Sequence, residues 1–149
     1  MDRDGALIGV TSELASIYEA AVVRVWTPAG LVTLDRDGAR GEASWVPAAG
    51  EAIFVITAHN PGDERLGTEG NAVNHARLVA DIDARHLTAW RATGGAEDLE
   101  GHQEESLAVH GLSESDAIEL GRAYGQDAIF EWTAAGRRLI WCDDARRKL

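Results

Sequence analysis

Residues 52–78 read AIFVITAHNPGDERLGTEGNAVNHARL. The opening run, AIFVITA (52–58), is continuously apolar and rich in β-branched side chains. Such a run fits a strand buried on both faces, because a half-buried strand would alternate apolar with polar residues. It is the expected central strand, paired on both sides. From Glu69 to Arg85 the apolar spacing changes to a helical period, with Leu78, Val79 and Ile82 on one stripe. Between strand and helix lies a loop with Gly62, Gly67 and Gly70, and the stretch holds every asparagine of the chain, Asn60, Asn71 and Asn74. At about 100° per residue, Asn71 and His75 fall on the apolar stripe and Asn74 at its edge. Polar side chains therefore face the sheet at the helix end nearest the loop, and Asn60 lies in that loop.

Working outward, VVRVW (22–26) and LVTL (31–34) flank the turn TPAG and read as a hairpin. Thr11 or Ser12 caps a short first helix with Leu14, Ile17, Tyr18 and Ala21 at helical spacing. Residues 35–50 lack periodicity and read as a surface loop anchored by Trp45. C-terminal to the long helix come LTAWRA (87–92), a Gly-rich acidic segment, and SLAVHG (106–111). Ser113 with Asp116 resembles a capping box opening a third helix that closes at Gly125. DAIFEW and RRLIWC then pair across TAAG. The order α-β-β-β-α-β-β-α-β-β predicts an α+β fold, a single mixed β-sheet with three helices in one domain, residues 1–149.

Composition narrows the function classes. A net charge of −11 argues against a nucleic-acid partner, since phosphate binding draws on clustered cations. No apolar stretch is long enough for a membrane span or secretion signal, and Cys142 is the only cysteine, so a cytoplasmic protein is expected. Lys148 is the only lysine, and this arginine-rich bias makes three asparagines in one region more notable.

Ligands of α/β sheets lie beyond strand ends, where loops enter helices and unpaired N–H groups are offered. Asn60, Arg65, Asn71, Asn74, Ser106 and Gln126 are the candidate ligand-binding residues, with Arg65 suited to an anion. His59 and His75 are acid–base candidates by residue type, and Glu105 becomes a general base if burial raises its carboxyl toward neutrality. No H-E-x-x-H or C-x-x-C spacing is present, so no metal site is expected. No phosphate-loop or dinucleotide fingerprint is present either, and no cofactor is implied. Two readings stay open. In one the asparagines bind a small polar ligand, nucleotide-like or another metabolite. In the other they brace the loop, and the acidic surface around residues 97–105 meets a basic protein partner.

The blocks FVITAHNP, TEGN before Leu78, EESLAVHGL and AYGQDAIF resemble, in this order, an uncharacterised bacterial family, domain of unknown function 3293. The resemblance marks Thr57, Asn60, Pro61, Asn71, Glu104 or Glu105, Ser106 and Gln126, and implies no reaction. His59 stands where an aromatic residue is expected from it, and Asp127 where asparagine is common.

Overall fold

The computed structural model describes residues 16–41, 46–59, 67–95 and 103–142. A short helix α1 (16–20) leads into strand β1 (Val22–Thr27). The turn after β1 is closed locally. Thr27 Oγ1 donates to the Gly30 carbonyl and accepts from the Ala29 N–H, at 2.7 and 3.1 Å. Strand β2 (Gly30–Asp35) returns antiparallel to β1, and β3 (Gly38–Gly41) follows it. Asp35 Oδ1 accepts the Asp37 N–H in that second turn, and Gly38 supplies the positive φ of 128° that a side chain resists. Part of the expected 35–50 loop is therefore strand. The Thr11 or Ser12 cap, Leu14 and the Trp45 anchor lie outside the described residues. Ile17, expected on a packed stripe, is 65% exposed.

The remaining elements are β4 (Ile53–Thr57), helix α2 (Gly67–Ala84), β5 (Ala89–Gly95), β6 (Gln103–His110), helix α3 (Glu114–Ala123), β7 (Ala128–Thr133) and β8 (Gly136–Trp141). Ser113 caps α3 as expected, its hydroxyl accepting the Asp116 N–H at 3.1 Å. Helix α2 ends where His86 adopts a left-handed φ of 57°. Eight strands form one sheet in the order β3-β2-β1-β5-β6-β4-β7-β8. The expected interior strand is confirmed, since β4 pairs with β6 on one side and β7 on the other.

The expectation of a mixed sheet needs correction, because every pairing is antiparallel. The two strand-helix-strand steps do connect parallel strands. Each pair, however, is split by a third strand: β6 lies between β4 and β5, and β4 between β6 and β7. The unit β4-α2-β5-β6-α3-β7 is thus a split βαβ arrangement of ferredoxin-like topology, extended by β1–β3 on one edge and β8 on the other.

Both sheet faces are buried. Phe54, Ile56, Leu107 and Val109 meet Leu78, Ile82, Ile118 and Leu120 of α2 and α3 on one side. On the other, Val23, Val25, Leu34, Ile53, Val55 and Trp132 form a second core. Each such large side chain, once buried, contributes about 1.5–3 kcal/mol. The second core needs no covering layer of helices because the sheet curls until β8 touches β2 and β3, making it nearly barrel-like. Arg137 of β8 draws α1 onto this inner face. Its guanidinium donates to the carbonyls of Ala21 and Glu19 and lies 4.6 Å over the Phe130 ring. Burial lowers the Arg137 pKa, opposed by Glu19 and Asp35.

Candidate functional site

The helix face of the sheet carries an open cleft of about 850 Å³ between α2, the end of β4 and the start of β6. Three elements supply its polar side chains. Asn71 and His75 sit one turn apart on α2, as i and i+4 residues must. Asn71 is only 8% exposed. Gln103 and Glu105 come from β6, on the same face because strand side chains alternate. His59 follows the last residues of β4, and its ring stands edge-on to that of His75 with centroids 6.3 Å apart. The first residues of α2, Gly67 and Thr68, complete the wall with apolar Ala72, Ala76 and Val79. A helix start of this kind offers N–H groups without intrahelical partners and a partial positive charge.

The backbone at His59 is fixed from two directions. Thr57 Oγ1 accepts the His59 N–H at 3.1 Å and donates to the Glu105 carbonyl at 2.9 Å, which ties β4 to β6 at the cleft edge. Gln126 Nε2 donates to the carbonyls of His59 and Tyr124, at 2.9 and 3.1 Å. Within this rigid frame sits His75. Its Nδ1 is buried and has no hydrogen-bond partner among the described residues. A buried polar atom in that state costs stability.

Glu105 is not the raised carboxyl expected of a general base. Arg91 grips it in a two-pronged pair, at 2.8 and 3.2 Å, and itself lies 4.2 Å over the Trp26 ring. The hydrogen bond from Arg91 pulls the Glu105 pKa below its ordinary value, overcoming the opposing effect of burial, and His75 and His59 act in the same direction. The carboxylate is therefore held charged, as an acceptor.

The expected site residues divide among three places. His59, Asn71, His75 and Glu105 share the cleft just described. Ser106 and Gln126 line a different cavity on the opposite sheet face. Asn74 lines a separate pocket between α2 and the end of α3, with Arg77, Asp81 and Tyr124. Asn60 and Arg65, and with them the expected closeness of Asn60 to Asn71, fall outside the described residues. Gln103 and Arg91 were not foreseen. The signal for Arg91 was its position opposite β6, legible only once register is known. Among the described residues, no three His, Cys, Asp or Glu side chains gather as a metal site requires, and no helix is long and apolar enough to cross a membrane.

A split βαβ sheet with a polar cleft at the start of its first crossover helix defines a class of α+β domain. Residues 56–129, from β4 into β7, match the family model described as Protein of unknown function (DUF3293). No curated protein and no solved structure matches the chain.

Proposed function

We propose that this chain binds a small polar molecule, nucleotide-like or a metabolite of similar size, in the cleft at the start of α2. The observation that carries the reading is the buried Nδ1 of His75, unpartnered among the described residues, in a cleft that also presents Asn71, His59 and a charged Glu105. The volume of about 850 Å³ lies within the range of small-molecule sites. Its chemistry is mixed in the way such sites are. An apolar floor of Ala72, Ala76 and Val79 accepts a ring, while the α2 start and the asparagine favour an oxygen-rich or anionic end. The reading is one of binding in a reducing cytoplasm and assigns no reaction.

Native mass spectrometry of the gently purified protein tests for a retained molecule. Thermal unfolding of wild type and Asn71→Ala against nucleotides and polar metabolites tests the cleft. At least one compound should stabilise the wild type and lose most of that effect in the variant. If nothing stabilises the wild type and Asn71→Ala alone costs several degrees, the asparagine is a brace and the binding reading falls.

A further inference from the structure

The second cavity, about 530 Å³, lies on the inner face of the curled sheet, separated from the first cleft by the thickness of the sheet. Strand alternation produces the separation: Gln103 and Glu105 face the helices, whereas Glu104 and Ser106 face inward. Its body is apolar, walled by Tyr18, Val23, Val55, Ala128 and Phe130. The hollow has a local cause in β5. Gly94 pairs with Val23 on one side and Glu104 on the other, so it faces inward with them, and a Cβ there would find Val23 Cγ2 at 4.0 Å as its nearest neighbour. The α1 wall is held in place, because Arg137 grips the carbonyls of Ala21 and Glu19.

Polar side chains also line the cavity, and most of their capacity is engaged. Thr57 Oγ1 donates to the Glu105 carbonyl and accepts the His59 N–H. Glu104 holds an interaction of its own, so no part of the recognition falls to its carboxylate. Two acceptors remain. Gln126 gives its Nε2 hydrogens to the carbonyls of His59 and Tyr124, which fixes the amide orientation and leaves Oε1 without a donor among the described residues. Ser106, only 3% exposed, gives its hydroxyl proton to the Glu104 carbonyl and keeps its oxygen lone pairs. Among the described residues that line the cavity there is no Lys, Arg or His. An anion would therefore meet no cation, and a cation would have to compete for a carboxylate already engaged. An ion of either sign loses its hydration there without a counter-charge to replace it. A neutral molecule avoids that cost, and one N–H or O–H on it supplies the donor that the acceptors lack.

We propose that this inner cavity is a second binding site, specific for an uncharged, largely apolar molecule: a body of about the size of a fused aromatic ring system that carries one hydrogen-bond donor. The ring packs between Val55, Tyr18 and Phe130, and Gln126 Oε1 accepts the donor. The site is independent of the α2 cleft.

Indole is the probe, titrated into the full chain by calorimetry with NMR shift mapping. Three relatives on the same ring accompany it: N-methylindole, which lacks the donor, and tryptamine and indole-3-propionate, which add a charge of either sign. Indole should bind and shift the signals of Val55 and Phe130. N-methylindole should bind about tenfold more weakly, the scale of one hydrogen bond, and both ions should be weaker by at least about as much. Gly94→Val should reduce indole affinity by about tenfold or more, because its side chain enters the hollow. Gly94→Ala, whose Cβ makes only an ordinary contact, should keep the melting temperature close to wild type and still weaken indole measurably. His75→Leu, in the other cleft, should leave indole affinity unchanged, so the two sites fail or stand separately. A folded wild type that ignores indole, N-methylindole or either ion binding as tightly as indole, or indole affinity indifferent to both Gly94 substitutions would overturn the proposal.

Discussion

Replacing His75 by leucine should make the protein more stable and its cleft inert. The imidazole sits among Asn71, Ala72 and Val79 with Nδ1 buried and unpartnered among the described residues. An unsatisfied buried polar atom costs roughly 1–3 kcal/mol, which His75→Leu recovers. Against this, the edge-on contact with His59 is lost, worth about 0.5–1.5 kcal/mol for a close aromatic pair and less at a centroid distance of 6.3 Å. Leucine has a higher helix propensity by a few tenths of a kcal/mol and is of the right type for the stripe already holding Leu78 and Ile82. The balance is a gain of about 1 kcal/mol, or a melting shift of roughly 2–4 °C upward for a domain of this size. Urea unfolding with an unchanged slope, alongside thermal melts, measures it. Any compound found to stabilise the wild type through the cleft should no longer do so. A loss of 1 kcal/mol or more would refute the reasoning, because it would mean that the histidine is satisfied in the free protein and serves the fold.

Gly121→Ala should destabilise despite alanine's advantage of about 1 kcal/mol in a helix. Its new Cβ would lie 2.7 Å from Cys142 Sγ and 3.0 Å from Ile129 Cγ2, and overpacking of that kind costs about 1–3 kcal/mol; adding Cys142→Ala should recover part of the loss in denaturant unfolding. His110 meets Trp90 edge-on, with ring centroids 4.2 Å apart, and burial lowers its pKa, with Glu51 opposing. Because the folded-state pKa is the depressed one, its contribution to stability is full above the ordinary histidine pKa of about 6.5 and is lost as pH falls below it. His110→Gln should flatten the stability profile on that acid side, and an unchanged slope there would contradict the burial argument.

The most legible part of the chain was the segment whose environment is the same on both faces. Phe54 and Ile56 face the helices, Ile53 and Val55 the inner core, and a run without alternation is what such a strand must show. Cap chemistry was equally plain at Ser113. Strand β3 was hidden because Gly38-Ala39-Arg40-Gly41 has no β-former; it exists through its pairing with β2, and the only local hint was Asp37-Gly38 in the turn. The acidic start of β6 was hidden for a related reason. Gln103, Glu104 and Glu105 look solvated in a sequence, yet they edge two cavities on opposite faces. The helical period placed Asn71 and His75 together correctly. It could not place Ser106 and Gln126, whose side of the sheet depends on strand order, and strand order is set by pairings between distant segments.

That strand order also carries a cost in time. The most apolar strand of the protein, β4, pairs with β6 and β7, both far downstream, and not with any strand that precedes it. On a ribosome adding about 5–20 residues per second, roughly fifty residues separate the end of β4 from the end of its first partner, an interval of about 3–10 s. During it, Ile53 to Thr57 is an aggregation-prone segment with neither edge paired, while the β1–β2–β3 meander upstream can form but its β1 edge finds no partner until β5 is made. The nascent chain is most vulnerable at the segment that later becomes its most protected. A folding factor that shields short apolar strands should therefore raise the soluble yield of this protein, chiefly by acting before residue 110 is synthesised.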